Sequence, residues 1–246
     1  LQAYVTQEIS LQHALYEGTI GSFFFAESDT NWVLWTMHVE LLGSLVLFLL
    51  LYLYQIKRVL FFICSLVLPA LALYLKGEGF FLGILSFVIG IYIYLYAKTL
   101  PYSVAIAVFL FGLYLAGAHN SSDSYQWIYA VIGERTYEYG NFLGGVLIVY
   151  SILMSPQLSN HFDRPLLVWL GKLSFSIYLL HLIVLYLIGL PVFNCLLSLG
   201  VDYAYAAVIA SIVFIGFTLW ACEYFSRWVD QFAIRVSQRL ASKILD

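Results

Sequence analysis

Seven apolar runs, each close to one membrane crossing in length, dominate this chain. They cover residues 33–54, 59–75, 80–97, 102–118, 140–155, 166–190 and 203–222. A bilayer core about 30 Å thick takes roughly 20 apolar residues as a helix. The pattern therefore predicts an all-α fold, a polytopic transmembrane bundle of about seven spans. The fifth run is the weakest, because it is short and follows a mixed segment (125–139) that reads as a re-entrant or interfacial piece. Very short connections within 33–75 and within 80–118 predict antiparallel helix hairpins. No internal repeat or low-complexity tract is visible.

The ends differ from the middle. Residues 1–32 carry Glu8, Glu17, Glu27 and Asp29 and read as an extracytoplasmic loop. From Glu223 to Asp246, Phe225, Trp228, Phe232, Val236 and Leu240 recur at three- and four-residue spacing, with Arg227, Arg235, Arg239 and Lys243 on other faces. That spacing predicts an amphipathic helix lying in the cytoplasmic interface. Residues 1–246 are thus read as a single membrane domain: loop 1–32, helices 33–222 and tail 223–246.

Composition agrees with the pattern. The chain has 246 residues, 63% hydrophobic and 10% charged, against about 25% charge in an ordinary soluble domain. A net charge of −3 with no basic run gives no footprint for nucleic acid. Placing loops alternately puts Lys57, Arg58, Lys98, Arg164, Lys172, Arg227, Arg235, Arg239 and Lys243 on one side and only Lys76 and Arg135 on the other. The positive-inside rule makes the richer side cytoplasmic. The N-terminus is then outside and the C-terminus inside, in the plasma membrane or an endomembrane. Trp32 and Trp35 fall at the outer interface, and the sequon Asn120-Ser121-Ser122 falls on the outer side. The three cysteines lack metal-ligand or CxxC spacing and read as small membrane-embedded hydrophobes. No metal is expected. No signal peptide precedes the first run.

Two ionisable groups interrupt the apolar runs. Glu40 lies eight residues into the first run and His181 well into the sixth. Charge at such depth is costly unless paired or wetted, which makes each a functional candidate. Thr36, Glu40 and Ser44 share a helix face by their spacing of four, and His38 points nearly the opposite way. On the sixth run Gly171, Ser174, Tyr178 and His181 form one polar stripe, with Ser176 off it. At 1.5 Å per residue, Glu40 lies roughly 10 Å and His181 some 8 Å below the outer boundary. A shared site is allowed by depth alone. Plainer roles exist for each residue. A membrane histidine often only bonds a backbone carbonyl, and a Ser/Tyr stripe often only joins helices. An intramembrane acid can be a structural ion-pair partner, His38 an interface residue, and Lys172 a side chain snorkelling to the cytoplasmic surface.

These two segments carry a family resemblance. Trp35-Thr36-Met37-His38-Val39-Glu40 resembles the tryptophan–Thr/Ser–x–x–Val–Glu signature of the membrane acyltransferase-3 family. The segment from Leu170 to His181 resembles its second signature, glycine–lysine–x–serine–aromatic–serine–x–tyrosine–leucine–x–histidine. Glu223-Tyr224-Phe225-Ser226-Arg227 is similar to the closing acidic element, without its usual proline. The resemblance runs from about residue 20 to 235.

The resemblance implies transfer of an acyl group, commonly acetyl, from cytoplasmic acyl-CoA to a hydroxyl of an extracytoplasmic or lumenal carbohydrate-like acceptor, a glycan or lipid-linked saccharide. Acyl-CoA is then a co-substrate, and no bound cofactor is expected. Glu40, Tyr178 and His181 are the catalytic candidates. Glu40 would bind the acceptor or orient a histidine; His181 would be a base or an oxyanion donor. Trp35, Thr36, Ser174, Lys172 and Arg164 are the substrate-binding candidates, with Lys172 and Arg164 placed to meet CoA phosphates. The family has ten spans and carries its presumed catalytic histidine in the first. Seven spans and a start at Leu1 imply a C-terminal fragment lacking the first three, inactive alone if that histidine is indispensable. His38 stands where serine or proline is common, and Leu41-Leu42-Gly43-Ser44 replaces an aromatic-rich continuation. Both departures leave the acceptor class open. The rival readings are a small-molecule or proton-coupled transporter, weakened by the lack of an inverted repeat, and an inactive membrane scaffold.

Overall fold

The computed structural model describes residues 10–245, and among them every regular element is helical. In chain order the α-helices are α1 (Leu11–Tyr16), α2 (Trp35–Ile56), α3 (Arg58–Lys76), α4 (Glu78–Tyr96), α5 (Tyr102–Ala116), α6 (Gln126–Ile132), α7 (Thr136–Leu153), α8 (Pro156–Phe162), α9 (Pro165–Val184), α10 (Leu190–Ser198), α11 (Tyr203–Phe225) and α12 (Gln231–Leu245). Wider π-helical turns extend α1 over Glu17–Phe25, join α9 to α10 over Leu185–Gly189, and join α11 to α12 over Ser226–Asp230.

All seven apolar runs are helical. Among the described residues, five helical stretches are long and apolar enough to cross a bilayer: Trp32–Ile56, Arg58–Lys76, Glu78–Tyr96, Pro165–Ser198 and Tyr203–Arg239. A sixth results if Asp123–Leu153 and Pro156–Phe162, bent by 102° at their junction, count as one. α5 is shorter than its run. Pro101 starts it and Gly117 ends it after fifteen residues, about 22 Å of helix. Residues 1–32 are not all loop, since Leu11 to Phe25 is helical. Glu8 lies outside the described residues, as do the side chains of Leu240 and Lys243 in the tail. The tail is helical and continues directly from α11, with Trp228 and Phe232 exposed.

The chain divides into two compact units, one of residues 36–164 and the other of residues 10–35 with 165–245. In the first unit, Leu50, Phe61, Val88 and Ile91 form the buried core of α2, α3 and α4. Tyr54 meets Phe61 edge-on, and Ser65 Oγ pairs with Tyr92 Oη at 2.8 Å. α2 and α4 interlock through two glycines. Phe87 occupies the space a Cβ on Gly43 would need, and Val39 does the same at Gly83. Gly43 thus serves as a socket for an aromatic ring from the next-but-one helix.

α5 and α7 approach most closely of all. Gly112 and Ala116 on α5 face Gly144 on α7, and Gly140, one turn earlier on α7, faces Leu115 and Ala118. A Cβ on Gly144 would overlap the backbone of Ala116, and one on Gly140 would lie 2.5 Å from Ala118 Cβ. Small residues at this spacing let backbones touch, the main source of helix attraction where apolar side chains gain little by leaving lipid. The sequon residue Asn120 is engaged in this region. Its Nδ2 donates to Glu134 O at 2.8 Å, and its Oδ1 accepts from Tyr137 N at 2.9 Å.

In the other unit, α9 packs along α11. Leu173, Ser176 and Val184 form the buried face of α9. Pro191 cannot donate to the carbonyl one turn back, which accounts for the π-helical turn just before it. Gly189, inside that turn, leaves room for Phe214 of α11.

Gly144→Ala is expected to destabilise the detergent-solubilised protein by about 1–3 kcal/mol, because the added methyl meets backbone and not a movable side chain. Gly145→Ala, with nothing within 4 Å of its Cβ, is the control and should leave the melting temperature unchanged or raised. Equal melting temperatures for the two variants would show that the glycine contact does not hold α5 to α7.

Candidate functional site

The polar stripe of the sixth run borders a cavity. Ser174, Tyr178 and His181 of α9 and Phe214, Thr218 and Leu219 of α11 line a space of about 550 Å³, otherwise walled by apolar side chains. Spacings of four and three place the three α9 residues on one face. Ser176 belongs to the opposite, fully buried face, in line with its sequence position. Thr218 satisfies its hydroxyl within its own helix, donating to Phe214 O at 2.7 Å.

His181 is half-buried. Its Nδ1 lies 2.7 Å from Tyr178 O and 3.1 Å from Ile177 O. Both partners are carbonyls and can only accept, so Nδ1 carries the proton. In the neutral ring Nε2 is then left with a lone pair. The plain role for a membrane histidine is met by one nitrogen, and the other retains the character of a base. The Tyr178 ring stands 6.1 Å from the imidazole, and its hydroxyl donates to Val33 O at 3.3 Å, long for an O–H donor. Ser174 Oγ donates to Gly171 O at 2.8 Å.

A second polar contact fixes this part of α9. Asn31 is buried, and its Nδ2 donates to Leu179 O at 2.8 Å, two residues before His181. Asn31 is itself positioned by Glu17, whose fully buried carboxylate accepts from the backbone N–H groups of Thr30 and Asn31. Neither residue stood out in the sequence, because both lie in a stretch that reads as loop.

Farther along the same two helices, Glu223 joins α9 to α11. Its Oε2 accepts from Trp169 Nε1 at 3.0 Å. Its Oε1 accepts from Arg227 Nε at 2.8 Å and pairs with Arg227 Nη2 at 2.6 Å. These three side chains, with Leu219, Trp220 and Tyr224, border a second cavity of about 390 Å³. The acid of the closing motif is therefore a helix-to-helix tie. Trp169, its partner, carries no sequence signal beyond being a tryptophan near a helix end.

The remaining candidates are placed as follows. Trp35, Glu40, Lys172 and Arg164 are exposed, and Thr36 is half-buried. Glu40 and Arg164 belong to the unit of residues 36–164, whereas Trp35, Lys172, Ser174, Tyr178 and His181 belong to the other. Within the Trp-to-Glu motif the buried positions are Met37, His38 and Val39. His38, read as an interface residue, is packed against Phe80 of α4 with ring centroids 5.5 Å apart. Its burial follows from lying opposite Glu40 on α2, toward the Val39–Gly83 contact.

The Trp169–Glu223 bond is measurable by a double-mutant cycle. Trp169→Phe and Glu223→Ala should each lower stability, with a coupling of about 0.5–1.5 kcal/mol between them. Strictly additive losses would show that the bond contributes nothing.

Compared with known protein families, with curated proteins and with solved structures, the chain matches none.

Proposed function

We propose that this chain forms the acyl-transfer portion of a membrane O-acyltransferase similar to the acyltransferase-3 family. It would cross the membrane about seven times with its N-terminus outside. The substrates are a cytoplasmic acyl-CoA, which the resemblance makes acetyl-CoA, and a carbohydrate-like acceptor with a free hydroxyl. One observation supports the reading above the others. The second signature's serine, tyrosine and histidine border one apolar cavity, and the histidine has its Nδ1 proton committed to backbone carbonyls.

In this reading Nε2 of His181 takes the proton of the acceptor hydroxyl as its oxygen attacks the thioester carbonyl. A C–O bond forms, the C–S bond breaks, and the imidazolium returns the proton to the departing CoA thiolate. Tyr178 and Ser174 supply hydroxyl donors to the oxyanion, each by giving up its present carbonyl partner. Lys172 and Arg164 are assigned to the CoA phosphates, Trp35 and Thr36 to the acceptor, and Glu40 to acceptor hydroxyls. These five assignments rest on the signatures and on charge placement. Transport is the second reading, favoured by the 102° bend between α7 and α8, a broken helix of the kind that borders permeation paths.

The test is acyl transfer from radiolabelled acetyl-CoA to glycan acceptors in membranes containing the complete gene product. His181→Ala should lower turnover by about 10²–10⁴-fold with expression unchanged. Tyr178→Phe should lower it by about 10²–10³-fold, through loss of one oxyanion donor. Glu40→Gln should raise the acceptor KM. Full turnover in His181→Ala overturns the assignment, and substrate flux in proteoliposomes without transfer supports the transporter instead.

A further inference from the structure

The N-terminal segment holds a group of side chains that the acyl-transfer reading does not use. Ser10 caps α1, its Oγ accepting from His13 N at 3.1 Å. The helix so started places His13 and Glu17 four residues apart on one face. The chain then reverses at Ala26, which takes a left-handed conformation (φ 59°), and returns Asp29 to the same place. One ligand atom from each of His13, Glu17 and Asp29 lies within 4.8 Å of the others.

The distances do not describe a finished ion-pair network. His13 Nε2 is 3.6 Å from Glu17 Oε2 and 3.8 Å from Asp29 Oδ2, both too long for a hydrogen bond. That nitrogen is buried and has no hydrogen-bond partner among the described residues. A second buried atom in the same condition is Oδ1 of Asn31, a residue only 7% exposed whose backbone N–H reaches Glu17 Oε1 at 3.4 Å. Donor atoms around a tetrahedral ion with bonds of about 2.0–2.1 Å stand roughly 3.4 Å apart. The spacing at His13 is close to that edge. Glu17 also has the outer support such a ligand needs, since the Thr30 N–H, 3.0 Å from each oxygen, holds its carboxylate in orientation.

We propose that His13, Glu17 and Asp29 bind a divalent transition metal ion of the zinc class, with water completing the shell. One imidazole and two carboxylates suit zinc or manganese better than calcium, which takes oxygen ligands. The ion would fasten α1 to residues 29–31. Through the Asn31–Leu179 bond it would also steady the turn of α9 that carries His181. The role is structural, and it stands or falls independently of acyl transfer.

Cobalt(II) is the probe, titrated into the untagged, detergent-solubilised full chain after treatment with EDTA. The wild type should take up one equivalent with visible ligand-field absorption that zinc then abolishes by displacement. His13→Gln and Asp29→Asn, both at partly exposed positions, should lose the absorption while Glu27→Gln retains it. Zinc at a hundredfold excess over its Kd should raise the melting temperature of the wild type by about 5 °C or more, and of His13→Gln not at all. Glu17→Gln is the less informative variant, because its carboxylate also holds the backbone of residues 30–31. An absence of cobalt absorption in the wild type, or absorption that persists in both ligand variants, overturns the proposal and leaves His13 as an ordinary ion-pair partner of two carboxylates.

Discussion

Helices this apolar gain little by hiding their side chains from one another, because the surrounding lipid would be as apolar as the neighbouring helix. The fold therefore depends on contacts that lipid cannot imitate. One kind is close backbone approach, where Gly112 and Ala116 meet Gly144 and where Gly43 admits the ring of Phe87. The other is a small set of polar ties, each joining two elements through groups that hydrocarbon cannot satisfy. Ser65 to Tyr92, Asn31 to Leu179, and Glu223 to Trp169 and Arg227 are of this kind. Large aliphatic side chains are left facing outward. Leu66, Leu75 and Val104 are all exposed, as suits a chain whose solvent is lipid.

The same economy shapes the site. A polar side chain on an apolar helix must spend its hydrogen bonds, and Ser174 and Thr218 spend theirs on carbonyls of their own turns. His181 does so with one nitrogen only. An imidazole differs from a hydroxyl in that anchoring one end leaves a chemically distinct second end, separated from the first by the width of the ring. Of the three stripe residues, the histidine alone is both structurally settled and equipped to accept a proton. That asymmetry is why the cavity's chemistry is assigned to it.

Much of the helical organisation was legible in the sequence, because an uninterrupted apolar run leaves the backbone few options but helix. All seven runs are helical, and the stripe of Ser174, Tyr178 and His181 shares a face as its spacing demands. Lengths were less legible. α5 stops at fifteen residues because Pro101 and Gly117 bracket it, and α9 runs on through a π-helical turn before Pro191. The closeness of α5 and α7 had a visible signal in Gly140-x-x-x-Gly144, which the weakness of that run concealed. Burial within the Trp-to-Glu motif was less legible still. Periodicity says that His38 and Glu40 point apart, but which of the two is buried depends on where α4 lies. Tertiary ties such as Asn31 to Leu179 span 148 residues and have no local signature. His13 and Glu17 share a face by spacing, yet Asp29 joins them only through the reversal at Ala26.

Exposure of Glu40 constrains the reading further. A carboxylate turned toward bare hydrocarbon near the middle of a span costs at least about 2.5 kcal/mol and by some estimates far more. Glu40 lies eight residues past Trp32, roughly 12 Å along the helix that begins there, too deep for a side chain of its length to reach bulk water easily. His38, by contrast, has an aromatic neighbour in Phe80 and is shielded. The expensive residue of the motif is thus the exposed one and the cheaper residue is the buried one. Stability alone would select the reverse arrangement, with the charge turned inward to a partner and the ring outward to lipid. A carboxylate kept accessible at such a cost has to meet water or another polar group there, and that requirement is the physical ground on which Glu40 is proposed, and not shown, as a binding residue.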